Sequence, residues 1–189
     1  MCVCVRARFV YRNGRPECVN VDCFRLLRCA FALRRTPLAR SLAVQGARPR
    51  QEDRYDVQLH YGSDQAKSFF GVYDGHFGAK AAEFCRDNMA KHIISNADFD
   101  RDLANAVRRS VRSVDQAFLE RALRRNDASG TTALCVVLVD RNLLVCNIGD
   151  CCMFAHHRGQ LLPLTRVLLR ARRLCVVVSI HLCLFVCYF

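Results

Sequence analysis

Acidic residues at the ends of apolar or alternating stretches are the part of this 189-residue sequence best suited to chemistry. Glu52 and Asp53 precede an alternating segment, Asp74 directly follows the apolar run "FFGVY", and Asp150 follows a third β-rich run. Hard divalent cations such as Mg²⁺ and Mn²⁺ take oxygen ligands in octahedral geometry and keep several waters. Carboxylates gathered at strand ends therefore predict a divalent-metal site.

Three residues close to these carboxylates add further chemistry. Gly75 would let its backbone carbonyl approach an ion, His76 could supply a proton, and Arg48 could grip an anion with its planar fork. Each also has a simpler interpretation, because an Asp-Gly pair is most often a turn and an arginine before a strand is most often solvated. Their order and spacing together carry the signal.

The segments that would position these residues begin with a hairpin. Residues 54–62 alternate and predict a strand, residues 62–64 predict a turn, and residues 67–74 predict a more buried partner strand. The hairpin would place Glu52 and Asp53 at the same end as Asp74.

Two amphipathic helices are predicted after the hairpin. In residues 78–94 and 99–124 the apolar residues recur at steps of three and four. The second helix also carries a run of arginines, interpreted as a solvated face, with an anion-binding surface as the alternative. Those arginines are Arg108, Arg109, Arg112, Arg121, Arg124 and Arg125.

Three β-rich runs, at 131–139, 142–148 and 151–156, follow the helices. Their short connections favour antiparallel neighbours. Together with the hairpin and the helices, they predict an α+β fold with helices packed on antiparallel sheets.

Four motifs then occur in the order of a known family. They are "RPRQED" at 48–53, "FFGVYDGHFG" at 69–78, "SGTTA" at 129–133 and "NIGD" at 147–150. The sequence resembles the metal-dependent type 2C, or PPM-type, protein serine/threonine phosphatases. The resemblance covers residues 46–165 and corresponds to roughly the first half of that family's catalytic domain.

The resemblance implies an αββα sandwich of two antiparallel sheets with two Mn²⁺ or Mg²⁺ ions at one end. By position, Asp74 resembles the carboxylate that bridges both ions and Gly75 the carbonyl ligand. Glu52 resembles a ligand of the second ion, and Asp53 an acidic residue that orients metal-bound water.

The resemblance also implies that phosphoserine and phosphothreonine esters of proteins are hydrolysed by a metal-activated water. Arg48 resembles the arginine that holds the substrate phosphate, and His76 resembles the general acid that protonates the departing oxygen. Asp150 aligns with a supporting acidic position. The implied partners are phosphoprotein substrates, and the oligomeric state stays open.

The sequence departs from the family pattern after residue 165. The later aspartates of the family are absent, and no Asp or Glu occurs beyond Asp150. Two dications facing Glu52, Asp53 and Asp74 are under-neutralised, which predicts a truncated, incomplete sandwich with weak metal binding and little turnover. The alternative is a pseudophosphatase or phosphoprotein-binding fragment that retains Arg48.

The net charge of +12 lies mainly outside the resemblance. Residues 1–45 have nine arginines against two acids, residues 166–189 have four arginines and no acid, and the segment between is nearly neutral. This distribution argues against nucleic-acid binding. Residues 1–45 are predicted as a basic flank outside the fold. Residues 166–189 are predicted as a tail, either read-through sequence or a marginal membrane anchor through residues 174–189.

The thirteen cysteines include no CxxC pair, and no signal peptide is recognisable at the start. We therefore predict a reduced, cytoplasmic protein, with mitochondrial and membrane-anchored placements as alternatives. The adjacent Cys151 and Cys152 are interpreted as small apolar packing residues.

Overall fold

The structure, a computed structural model, describes residues 11–12, 15–16, 24–28, 41, 43–61, 67–140, 142–157, 160–165 and 183–187. Its elements follow the chain in the order β1 Tyr11–Arg12, β2 Arg15–Pro16, β3 Phe24–Arg28, β4 Arg54–Gln58, β5 Lys67–Tyr73, β6 Gly75–His76, α1 Lys80–Ile94, α2 Leu103–Arg125, β7 Gly130–Thr131, β8 Ala133–Val139, β9 Asn142–Ile148, β10 Cys152–His157, β11 Gln160–Pro163 and β12 Cys183–Cys187.

A five-stranded antiparallel sheet, in the order β3-β9-β8-β5-β4, forms the centre of the fold. The predicted pairing of the first two long strands is confirmed, with Arg54 opposite Tyr73 and Gln58 opposite Phe69. The predicted turn at 62–64 lies outside the described residues. Because β5 and β8 are covered on both faces, they read as nearly continuous apolar runs, whereas the edge strand β4 alternates between half-buried and exposed residues.

Both helices pack on one face of this sheet. Four apolar residues of α1, at steps of four, are buried, and the last three of them belong to the core formed with Phe69, Tyr73 and the inward side chains of β8 and β9. They are Ala81, Cys85, Met89 and Ile93.

The second helix begins later than the predicted residue 99. The side chain of Asp102 accepts a hydrogen bond from the backbone N–H of Asn105 at 3.0 Å and so caps a helix that starts at Leu103. Phe99 belongs to the preceding turns, yet it is buried in the same core. Phe99 therefore continues the spacing of apolar residues seen in α2, although it lies in a turn before the helix begins.

The other face of the sheet is covered by a second sheet, in the order β11-β10-β12. The predicted adjacency of the strands at 142–148 and 151–156 is wrong, because β10 leaves the first sheet and pairs with β11 and β12. Gly149 has a φ of +116°, and the Asn147 amide donates to the Cys151 carbonyl at 2.9 Å. This tight turn redirects the chain, and Cys151 and Met153 pack on Leu134 and its neighbours.

The flanking segments contribute strands among the described residues. No structure is predicted from the sequence for residues 1–45, but β3 pairs with β9 from Phe24 opposite Cys146 to Arg28 opposite Asn142. Likewise, β12 pairs with β10. An unpaired edge strand presents N–H and C=O groups without backbone partners. The pairing of β3 with β9 and of β12 with β10 gives partners to these groups along two strand edges. Within the described part of the chain, no helix has the length and apolar character needed to cross a membrane.

The five cysteines of the central segment are all buried, namely Cys85, Cys135, Cys146, Cys151 and Cys152. The interpretation of Cys151 and Cys152 as packing residues is confirmed by their burial. Burial, together with a smaller contribution from the charge of Asp115, raises the pKa of the Cys85 thiol to about 12. A thiol with such a pKa is a poor nucleophile at neutral pH.

The arginines of α2 mostly lie at the surface, as the solvated-face interpretation predicts. Arg109 donates to Asp98 at 3.0 Å, and the Arg121 guanidinium lies 5.6 Å from the centre of the Phe84 ring. Arg112, Arg124 and Arg125 are exposed.

Candidate metal and phosphate site

Asp74 lies at the end of β5 and is buried, with 6% of its surface exposed. Its backbone is held by the segment before β8: its N–H donates to Thr132 Oγ1 at 3.0 Å, and its carbonyl accepts from the Thr132 N–H at 3.0 Å and from Thr131 Oγ1 at 2.9 Å. The two threonines of "SGTTA" therefore fix the main chain of Asp74. The motif is visible in the sequence, but this role is not.

Glu52 reaches the same place from the start of β4. A Cβ atom built on Gly75 would lie 2.6 Å from the Glu52 carbonyl oxygen, so only glycine fits at this crossing. The β4–β5 pairing ends with Arg54 opposite Tyr73, so Glu52 and Asp53 come just before this pair and Asp74 and Gly75 just after it. The structure thus brings the main chain of Glu52 against Gly75, the residue that follows Asp74.

His76 follows directly in β6, which pairs with β7 so that His76 lies opposite Gly130. A Cβ on Gly130 would collide with His76 Nε2, so the glycine leaves the space that the imidazole occupies. The next residue, Phe77, is 85% exposed and has a φ of +56°. Its ring meets the His76 ring edge-on, with centres 5.7 Å apart.

Asp150 lies in the turn between β9 and β10, next to the buried Cys151. Burial raises the pKa of the Cys151 thiol well above its usual range, and the charges of Asp74 and Asp150 raise it further. A hydrogen bond with Thr132 acts in the opposite direction. Ile148 pairs with Ala133, and the neighbouring Thr132 accepts from the Asp74 N–H, so the turn that carries Asp150 belongs to the same end of the fold as Asp74.

Arg48 lies in an exposed turn formed by residues 45–48. Its N–H donates to the Gln45 carbonyl at 3.3 Å, and the Gln45 amide donates to the Arg48 carbonyl at 2.7 Å. Within the described part of the chain, these local bonds are the contacts of Arg48. The structure therefore places Arg48 four residues before Glu52 without joining its guanidinium to the carboxylates.

Arg54 is not among the residues predicted for the site. Its guanidinium contacts the backbone on both sides of Glu52 and also reaches Glu83 of α1. In the sequence, Arg54 has no motif or spacing that distinguishes it from an arginine at the surface. Its role therefore cannot be predicted from the sequence.

The donor set decides how many cations this end of the fold could hold. Among the described residues, no group of three or more His, Cys, Asp or Glu side chains is arranged as a metal site. A Mg²⁺-like ion, however, is commonly held by one or two carboxylates and keeps several waters. Glu52 and Asp74, with the Gly75 carbonyl, fit one such ion.

The fold is an antiparallel sheet packed against two helices, and acidic residues lie at one end of that sheet. These two features together define the class of protein. The family model described as protein phosphatase 2C matches residues 40–166, more than half of the chain. The chain belongs to the protein phosphatase 2C family. This membership confirms the resemblance seen in the four motifs.

Relatives from plants and animals match the same region. The chain is 38% identical over 130 residues to "Probable protein phosphatase 2C 27" of Oryza sativa subsp. japonica, covering 64% of this chain and 37% of that protein. It is 32% identical over 116 residues to "Protein phosphatase 1L" of Bos taurus, covering 57% of this chain and 32% of that protein. The chain thus spans about a third of the length of these curated relatives.

Solved structures show the same fold. A serine-threonine phosphatase 2C from Toxoplasma gondii aligns with a TM-score of 0.57 at 22% identity, covering 78% of this chain and 54% of that one. A C. elegans sex-determining protein aligns with a TM-score of 0.59 at 21% identity, covering 77% of this chain and 34% of that one. The predicted α+β class, with antiparallel sheets and helices as in the PPM fold, is confirmed.

Proposed function

We propose that this chain serves the metal-dependent hydrolysis of phosphoserine and phosphothreonine esters in proteins. The observation that carries the proposal is the crossing of Glu52 and Gly75 beside the buried Asp74, with His76 one residue further on. Family membership supports the reaction and its dependence on Mn²⁺ or Mg²⁺. The substrates of this activity are phosphoproteins.

In this proposal the residues of the chain divide the work. Glu52, Asp74 and the Gly75 carbonyl bind the cation, and Asp53 orients water beside it. Arg48 holds two phosphate oxygens with its guanidinium fork. His76 donates a proton to the departing serine or threonine oxygen. A bound divalent cation supplies positive charge that stabilises the phosphate during displacement and lowers the pKa of water.

The charge balance sets the expected strength. Glu52, Asp53 and Asp74 carry three negative charges, and two dications carry four positive ones. Since the sequence after Asp150 contains no carboxylate side chain, the 189-residue chain has no further acidic ligand for a second ion. We propose weak metal binding and low turnover for this chain, with one cation bound more tightly than a second.

The experiment measures Mn²⁺ binding to the full chain by calorimetry and phosphate release from a phosphothreonine peptide with and without Mn²⁺. Asp74→Asn and Glu52→Gln should each abolish measurable Mn²⁺ binding. Glu120→Gln, which removes an exposed acid on α2, is the matched control and should bind as the native chain does. Equal binding by the native chain and Asp74→Asn would contradict the proposal.

A second candidate function, binding of phosphoproteins without hydrolysis, is favoured by the exposed position of Arg48. Its guanidinium lies outside the hydrogen bonds of its own turn, which use the backbone of Arg48. Arg48→Ala should then lose affinity for a phosphothreonine peptide, while Arg112→Ala on α2 should keep it. Hydrolysis of the same peptide would separate the two functions.

We further propose a reducing compartment such as the cytoplasm. Five buried cysteines with no disulfide assigned to them in the described residues support it, because oxidising compartments favour disulfides. One rice relative carries the name "Probable protein phosphatase 2C member 13, mitochondrial", so a mitochondrial location is the alternative. Fractionation of cells expressing the tagged chain would decide between them.

A further inference from the structure

The guanidinium of Arg54 joins the acidic loop at residues 51–53 to helix α1. Its Nη1 donates to the Gln51 carbonyl at 2.9 Å and to the Asp53 carbonyl at 2.8 Å. Its Nη2 donates to Glu83 Oε1 at 2.6 Å. The two carbonyls belong to the residues immediately before and after Glu52, so one side chain holds the backbone on both sides of that carboxylate.

Glu83, which accepts from the Arg54 Nη2, belongs to a turn of α1 that packs against the sheet. Glu83 lies in the first turn of α1, and the neighbouring Ala81, Ala82 and Cys85 are buried against the sheet. A further hydrogen bond, from the Asp53 N–H to Gln51 Oε1 at 3.3 Å, closes the loop on itself. The loop at residues 51–53 is therefore bonded to α1. It also continues directly into β4, the strand that pairs with β5.

We propose that Arg54, held by Glu83, is a positioning residue that keeps Glu52 against Gly75 in the geometry needed to bind a divalent cation. This inference rests on the proposed function. Groups outside the ligand set that orient metal ligands commonly change metal affinity by roughly 10- to 100-fold when they are removed.

The geometry distinguishes this contact from an ordinary surface ion pair. The Arg54 side chain is 23% exposed and the Glu83 side chain is 42% exposed. Ion pairs at such exposure add little by charge alone. The planar guanidinium, by contrast, donates from Nη1 to both carbonyls of the loop and from Nη2 to Glu83, so its fork connects the loop to α1. Lysine at this position would keep the charge but has no second nitrogen to bind Glu83 while the first binds the loop carbonyls.

The test uses the full chain with Arg54→Ala, Arg54→Lys and Glu83→Gln. Arg109→Ala is the matched control, because it removes an arginine that also pairs with an acid but lies on α2. Two quantities are measured: the Kd for Mn²⁺ by calorimetry, and the amide hydrogen exchange of a peptide covering residues 49–56 without metal. Circular dichroism confirms that each variant is folded.

Arg54→Ala should raise the Kd for Mn²⁺ about tenfold and speed exchange in residues 49–56. Arg54→Lys should show most of this effect, Glu83→Gln part of it, and Arg109→Ala none. If Arg54→Ala does not fold, Arg54→Lys and Glu83→Gln carry the test. Unchanged exchange and a Kd within twofold of the native value in the folded Arg54 variants would overturn the inference.

The exchange measurement separates this inference from the proposed function. If the native chain binds no Mn²⁺, the proposed function fails, and the positioning inference fails with it. This holds even if faster exchange in the Arg54 variants shows that Arg54 orders the loop. If the native chain binds Mn²⁺ and Asp74→Asn does not, while the folded Arg54 variants match the native chain in both quantities, only the positioning inference fails.

Discussion

Gly75 lies against the main chain of Glu52 so closely that a Cβ on the glycine would come within 2.6 Å of the Glu52 carbonyl oxygen. This contact joins the acidic loop before β4 to the Asp-Gly-His segment after β5. It brings the main chain of Glu52 against the residue that follows Asp74, and it depends on the absence of a side chain at position 75.

Gly75→Ala should push these two segments apart. Because the opposing atom belongs to the backbone and cannot rotate away, we expect a loss of about 1–3 kcal/mol in the free energy of unfolding. Urea denaturation followed by circular dichroism measures it. Gly46→Asn is the control, since Gly46 has no neighbour within 4 Å of an added Cβ and its φ is +61°. Asparagine tolerates this conformation. Equal losses in both variants would contradict the steric explanation.

Gly130→Ala should act on the His76 side chain. The added methyl would collide with Nε2, so the imidazole must move while the surrounding strands stay paired. We expect a roughly tenfold or greater loss of phosphate release, and a changed His76 signal in NMR spectra. Once His76→Ala removes the ring, adding Gly130→Ala should cost little more. Additive losses in the double variant would show that the two residues act independently.

Phe77→Gly should stabilise the fold. Phe77 has a φ of +56° and is 85% exposed. A phenylalanine in this conformation is strained, and little burial is lost when its side chain is removed. Relief of the strain should add roughly 1 kcal/mol to the free energy of unfolding. Phe77→Ala keeps the strain and serves as the control, with no gain expected. A lower thermal midpoint for Phe77→Gly than for the native chain would refute this account.

Asp127 should make the free energy of unfolding depend on pH in the acidic range. Burial alone would raise its pKa, but the Ser129 N–H, 3.0 Å from Oδ1, and the Lys80 ammonium, 3.5 Å from Oδ2, contribute to a net lowering. A carboxyl whose folded pKa lies below its unfolded value of about 3.9 stabilises the fold above that value and loses the effect as pH falls through the folded pKa.

The stability difference between the native chain and Asp127→Asn should therefore be largest near neutral pH and shrink below about pH 4. Chemical denaturation at a series of pH values measures it. Asp140→Asn, in the exposed turn between β8 and β9, corrects for the loss of one negative charge. A difference that grows towards low pH would have the wrong sign for this explanation.

Cys85 should resist alkylation in the folded protein. Its thiol is buried and its pKa is raised to about 12, so almost no thiolate is present under mildly alkaline conditions. After iodoacetamide treatment, mass spectrometry should find the Cys85 peptide unmodified without denaturant and fully modified in urea. Rapid modification in the folded state would mean that α1 does not cover this thiol.

Much of the local structure is predictable from the sequence, because each element depends on a pattern within its own segment. Alternation predicts β4 and its partner β5, and steps of three and four predict α1. The start of α2 is not predictable in this way, because Phe99 continues the apolar period although Asp102 caps the helix after it. The motifs likewise mark Asp74 and Gly75, since their chemistry is written in residue type.

The sequence by itself determined the family, the apolar segments and the candidate ligands, all of which are properties of residue type and spacing. Only the tertiary structure decided that β10 leaves the first sheet, that Gly130 makes room for His76 and that Arg54 links the acidic loop to Glu83. The physical reason is that these contacts join residues far apart in the chain. They form only when the helices and both sheets pack together, and no local pattern encodes that packing.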